Sequence, residues 1–433
     1  MKMSAWLWRR GAHSPVFASF RLRFGAKLSI PNSTNFSIAY KEPVQVSALG
    51  TNAKFAHKNS KASERRAVRY RLQEQAARLL PGERVAMCMH RIAPGKQAAQ
   101  VLFYPSTKSA GFGNLLTCGS VWVCPVCSAK ITQRRRDELA PALNNWQASG
   151  GGLLMAAFTL RHSRSDELAN IRGILAAVLR ELSHHRSFLT LKKTYKVIGY
   201  IAASEITWNE AGGWHPHRHY CFITERQLTD EEIAAFERDL SGIYIAILEK
   251  HGRDALDGVA VKLQAAAGGA SEYLMKWGCA DELARQPVKK ARSGGFSPFQ
   301  LLEDSASGSE TAKRSAALFL EYAAAMKGIH QVQYSRGIRE LLGLSKQAAA
   351  DSELAAEAQP EAILLAEIDR ETWRLIIARH QRVELLEAAA SGSSLQVAIW
   401  LSRLRGAQGS GSLSPGEIRS EEHTSELQSQ NAI

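Results

Sequence analysis

From Leu153 onward the chain switches repeatedly between two hydrophobic periods. Residues 153–160 form an apolar run of strand length, and residues 165–182 carry apolar side chains at helical spacing. Lys196–Trp208 is rich in β-branched and aromatic residues, and Asn209-Glu210-Ala211-Gly212-Gly213 has the composition of a turn. An apolar strand pattern resumes over His217–Thr224. Thr229–Lys250 reads as helix, Gly258–Leu263 as strand and Ala270–Trp277 as a short helix. Strands separated by helices, with a hairpin in the middle, predict an α+β fold with a central antiparallel sheet and helices on one face.

The flanks divide by pattern. Residues 1–60 show little periodicity and are expected to be a poorly ordered basic extension. Residues 61–150 combine a basic helical segment (Lys61–Leu80) with a cysteine-bearing lobe, and residues 151–285 hold the sheet. A linker rich in Lys, Arg, Gly and Ser runs from 285 to 315, and the segment 286–345 regains helical character at Ser315–Lys327. Residues 346–418 are rich in Ala, Glu and Leu and predict a helical C-terminal module. Residues 419–433, beginning Arg-Ser-Glu-Glu-His-Thr-Ser-Glu-Leu, resemble a translated sequencing-adapter oligonucleotide and are expected to be an assembly artefact.

Composition narrows the chemistry. The 433 residues carry a formal charge of +14, which favours an anionic partner such as nucleic acid. No stretch has the apolar length of a membrane span, and the first ten residues lack the apolar segment of a secretion signal. The six cysteines are clustered, as expected of metal binding in a reducing cytoplasm.

The segment Trp214-His215-Pro216-His217-Arg218-His219 carries the strongest chemical signal. Side chains two apart on a strand share a face, so His217 and His219 present two imidazoles together. If Trp208 pairs with Trp214 across the turn, Glu205 falls opposite His217 on that face. A Glu/His/His set with open positions suits a catalytic Mn²⁺ or Mg²⁺ better than a closed structural zinc. Pro216 cannot donate to a ladder, which predicts that the regular strand starts there and leaves His215 outside it as an alternate ligand.

Cys118 and Cys124-Pro-Val-Cys127, with Cys88 upstream, supply four thiols for a tetrahedral zinc site, His90 being the substitute for Cys88. Further on, Tyr273 and Lys276 share one face of the Ala270–Trp277 helix. A phenol is a poor nucleophile, with an ordinary pKa of about 10. A metal ion and a nearby lysine are what it would need to attack a phosphodiester.

Together these segments resemble the replication initiators of rolling-circle plasmids, members of the HUH endonuclease superfamily. Phe158-Thr159-Leu160 is similar to the first family motif, Trp214–His219 to the metal motif and Glu272–Trp277 to the nucleophile motif. Phe296–Leu302 and the Tyr322–Arg339 segment, with Tyr334-Ser335-Arg336-Gly337, add to a similarity covering roughly residues 84–345. The resemblance implies metal-dependent nicking of the plasmid's double-strand origin by Tyr273. A 5′-phosphotyrosyl link and a 3′-OH primer result, and strand transfer closes the circle at termination. Host helicase and replication machinery are the implied partners. Arg218 departs from the apolar residue usual at that position, which predicts a face turned to DNA or solvent. Gly269 stands where some relatives carry a Glu that activates the terminating step; Glu272, beside the nucleophile, is the remaining carboxylate there. An HUH transposase or relaxase, and a non-catalytic zinc-containing DNA-binding regulator, are the competing readings.

Overall fold

The structure, a computed structural model, describes residues 52–256, 258–266, 295–356 and 361–406, with side chains from residue 65. The helix expected over Ala270–Trp277, and with it Glu272, Tyr273 and Lys276, lies outside the described residues.

The larger of the two antiparallel sheets among the described residues is the one expected from the strand pattern. Its members are β3 (Gly152–Phe158), β4 (Val197–Asn209), β5 (Gly213–Thr224), β6 (Val261–Ala265) and β7 (Val332–Tyr334). Their spatial order is β6-β3-β5-β4-β7. β3 is buried along nearly its whole length and so is the second half of β5. Strands with no polar face require cover on both sides.

Helices accordingly occupy both faces, where one had been expected. On one face lie α3 (Leu168–His184), α4 (Arg186–Thr194) and α5 (Asp230–Lys250). They bring Leu175, Phe188, Phe236 and Tyr244 against Phe158, Tyr220 and Phe222. α5 starts at a capping box in which Thr229 and Glu232 satisfy each other's backbone N–H groups. On the opposite face α2 (Pro125–Ala148) packs Leu139 and Leu143 against Met155, Ile201, Cys221 and Ile223. An Arg339–Glu138 pair at 2.5 Å ties α2 to the segment after β7. Within the expected linker, α6 (Pro298–Asp304) forms behind a second capping box, Ser297 with Gln300, and α7 (Ala312–Met326) follows.

The second sheet joins distant parts of the chain. β1 (Ala99–Tyr104) pairs on one side with β2 (Ser109–Gly113) and on the other with β8 (Ile363–Ile368). The C-terminal segment expected to be purely helical therefore supplies a strand to the cysteine lobe. Six residues of strand amid Ala/Glu/Leu-rich helix leave little trace in composition, and β1 provides the edge that recruits them. Past the short α8 (Ile338–Leu341) and α9 (Asp351–Ala356), the chain ends its described course in α10 (Arg370–Ala378), α11 (Arg382–Ala389) and α12 (Ser394–Gly406). Arg382, 1% exposed, fastens α11 to α1 (Asn52–Leu79), donating to Gln73 at 2.8 Å and Glu74 at 2.9 Å over the ring of Tyr70. Among the described residues no helix is long and apolar enough to cross a membrane.

Candidate functional site

The β4–β5 hairpin has the register counted from the turn: Trp208 lies opposite Trp214, and Glu205 opposite His217. His219 sits between Ala203 of β4 and Ala157 of β3, two small side chains that leave its ring uncrowded. Ligand atoms of Glu205, His217 and His219 all fall within 4.8 Å of one another. His219 Nε2 donates to Glu205 Oε2 at 2.7 Å, so a proton bridges the gap that a cation would fill. The Nδ1 of His217 is buried and has no hydrogen-bond partner among the described residues. A buried ring nitrogen with nothing to bond, beside a carboxylate and a second imidazole, fits a divalent ion.

β5 begins at Gly213, so His215 and Pro216 lie within the strand, contrary to the expectation that it starts at Pro216. The neighbouring strand β3 ends at Phe158, opposite Arg218. Beyond that point β5 has an open edge, where a residue without a donor is tolerated. His215 thus shares the face of His217, with ring centroids 3.8 Å apart, but its bond goes elsewhere.

That partner is His162, which sequence reasoning missed. His162 Nδ1 lies 2.8 Å from the carbonyl of Gly212, to which only a donor can bind, and its Nε2 lies 2.5 Å from His215 Nδ1. His215 is then the donor of the second bond. The loop after β3 is held against the hairpin by Arg164–Glu210 at 2.8 Å, and against the end of α5 by Arg253–Asp166 at 2.7 Å. Gly213, at φ +73°, makes the close approach possible: a Cβ there would lie 2.9 Å from Cα of Arg164. Nothing in the local sequence of His162 marks it. Its position after a strand adjacent to β5 is the only signal, and reading it requires the strand order.

Burial keeps two of these imidazoles neutral and ligand-ready. It pushes His217 down to about 4, against a smaller upward pull from Glu205, and His215 down to about 3 with help from the imidazoles of His217 and His162. For Glu205 burial pushes upward, but the bond from His219 and the adjacent rings outweigh it and hold the carboxyl below its ordinary range. Asp166 is held down to about 2 by the Arg253 guanidinium, helped by the Ser163 N–H and hydroxyl.

Arg218 points to the other face and is buried, where a side chain turned to DNA or solvent had been expected. Its guanidinium donates to Ser204 Oγ and to Gln333 Oε1, polar partners that let a cation replace an apolar residue there.

The structure also gathers Cys88, Cys118, Cys124 and Cys127, all buried. Cys88 Sγ lies 3.6 Å from that of Cys124 and 3.5 Å from that of Cys127, and Cys118 Sγ is 3.6 Å from Cys127. Zinc–sulfur bonds of about 2.3 Å put tetrahedral thiolates about 3.8 Å apart, so the spacing fits a structural zinc. Cys124 caps α2 and Pro125 occupies its first turn, which aims both Cys124 and Cys127 at the cluster centre. Burial pushes the Cys124 thiol up while bonds from Cys118, Cys124 and Cys88 pull Cys127 down. One thiolate can be shared in this way; four require a dication. His90, the expected substitute for Cys88, stands apart with Nδ1 3.0 Å from the carbonyl of Ala86, and burial lowers it to about 4.

The chain is similar to two curated proteins of Streptomyces. One, named Protein rep, from Streptomyces lividans, is 26% identical over 293 aligned residues, covering 53% of this chain and 64% of that protein. The other, from Streptomyces cyanogenus and named neomycin resistance protein, is 29% identical over 164 residues, 31% of this chain and 38% of that protein. The chain thus spans less than two thirds of either relative's length. No family model matches the chain. No solved structure matches it either.

Proposed function

We propose that this chain initiates plasmid replication by the rolling-circle route, as a metal-dependent nickase and strand transferase acting on single-stranded DNA exposed at the double-strand origin. The observation that carries this reading is the convergence of Glu205, His217 and His219 on one face of a rigid hairpin. The name Protein rep, borne by one relative, and the formal charge of +14 support it.

Glu205, His217 and His219 would hold the catalytic Mn²⁺ or Mg²⁺, and Cys88, Cys118, Cys124 and Cys127 a structural Zn²⁺. The catalytic ion, when bound, supplies Lewis acidity toward a phosphodiester oxygen. His215 and His162 keep the face of the hairpin in shape. Tyr273 is the proposed nucleophile. Its Oη bonds to phosphorus as the bond to the 3′ oxygen breaks; the phenol loses its proton and the leaving oxygen gains one. The products are a 5′-phosphotyrosyl ester and a 3′-OH primer. One phosphoester replaces another, so attack by a free 3′-OH can later reverse the step without ATP. On a helix Lys276 shares the Tyr273 face and would favour the phenolate, while Glu272 points about 100° away.

The test is incubation of the protein with Mn²⁺ and single-stranded origin oligonucleotides, followed by denaturing gels. A protein–DNA adduct that disappears with Tyr273→Phe is expected. An adduct that survives Tyr273→Phe overturns the nucleophile. Absence of any adduct overturns the nickase in favour of a zinc-containing DNA-binding regulator.

A further inference from the structure

We propose that α11 and α12 form a helix-turn-helix reader of double-stranded DNA, with α12 as the helix that enters the major groove. This rests on the replication-initiator reading and adds to it the element that would select the origin duplex before any strand is nicked.

The connection between the helices is that of the motif. α11 has 8 residues and α12 has 13, and the turn between them is Ala390-Ser391-Gly392-Ser393. A turn of three or four residues containing Gly is the signature connection of such helix pairs. Gly392 adopts φ +73°, and a Cβ there would lie 2.9 Å from the ring of Phe103. The turn is therefore pressed on β1 one residue before the Tyr104–Ser109 end of the β1–β2 hairpin. α10 precedes the pair through another short turn, Arg379–Gln381, and its buried Trp373 and Ile376 form the floor.

Charge identifies the reading helix and its occupant. The exposed side chains of α11 include Glu384 and Glu387, which would repel a phosphate backbone. From Ser391 to Gly406 there is no carboxylate. α12 anchors itself through buried Val397 and Leu404 and turns Ser394, Leu395, Gln396, Ser402 and Arg403 outward. Gln and Arg are the side chains that pair with adenine and guanine edges, and an exposed Leu, here 67% accessible, can meet a thymine methyl group. A protein-binding helix would be expected to expose a continuous apolar stripe instead.

The experiment uses the full-length chain and labelled duplex oligonucleotides tiling the origin of the replicon that carries this gene, with unrelated duplexes as controls, read by anisotropy at fixed salt. The wild type is expected to prefer one origin duplex. Gln396→Ala with Arg403→Ala should weaken that complex by roughly tenfold or more, while the control Glu384→Ala does not. Both sites are exposed, and an unchanged melting temperature will show that the fold is retained. Adduct formation on single-stranded oligonucleotide should be unaffected by the α12 changes. Unchanged duplex binding by the α12 variant overturns the proposal, as does a wild type with no duplex preference. A wild type that makes no adduct but loses duplex binding on α12 substitution would sink the nickase and leave the reader standing.

Discussion

His162 Nε2 lies 2.5 Å from His215 Nδ1, joining residues fifty-three positions apart across the mouth of the β4–β5 hairpin. Because His215 packs edge-on against His217, the bond fixes the orientation of a ring one step removed from it.

His162→Ala should therefore weaken Mn²⁺ binding at Glu205, His217 and His219 roughly tenfold, the usual effect of removing a residue that orients a ligand. Isothermal titration of the variant checks this; His162→Asn, which can still bond to Gly212, should recover part of the loss. Equal affinity in all three proteins would show that the pair is only structural.

Glu205→Ala should cost more than His162→Ala, because it removes a donor to the ion itself. Mn²⁺-dependent adduct formation is expected to fall below detection while the melting temperature in metal-free buffer changes little. Glu205 accepts its hydrogen bond from His219, and an adduct yield equal to wild type would exclude the carboxylate from the site.

Acid should destabilise the metal-free protein in a defined window. His217 falls from an ordinary value near 6.5 to about 4, so below pH 6.5 the unfolded chain takes up a proton that the fold refuses. Stability is fully present above pH 6.5 and is lost as pH falls toward 4, by at most about 3 kcal/mol for this residue. Melting curves at pH 7.5, 5.5 and 4.5 test the sign, and His217→Asn should flatten the dependence.

Cys124→Ser opens the proposed zinc site and should abolish bound zinc, measured by elemental analysis of purified protein. Since a structural zinc contributes folding energy directly, the variant is expected to melt well below wild type or to precipitate. Undiminished zinc would refute the four-thiol set.

Arg382→Ala should destabilise the cysteine lobe by about 1.5–3 kcal/mol, as it removes the charged hydrogen bonds to Gln73 and the half-buried Glu74, which keeps His380, and the contact with Tyr70. Urea titration reads the loss, and Arg382→Met with Glu74→Gln should recover much of it.

The sequence by itself determined the local parts of this protein. The period-2 run ending at Trp208, the five-residue turn and the alternating histidines were enough to pair Glu205 with His217, because hairpin register is set by turn length and side-chain alternation. The cysteine spacing likewise brought Cys124 and Cys127 together at the start of a helix, a matter of one helical turn. Tertiary structure decided what depends on contacts between distant segments. Strand β8 is too short and too aliphatic to stand out in its surroundings, and it exists because β1 offers an unpaired edge. His162 meets His215 only because β3 runs beside β5 and Gly213 admits the loop. Arg218 could be judged only once Ser204 and Gln333 were seen to receive it, since burial of a charge turns on partners that no local pattern reveals.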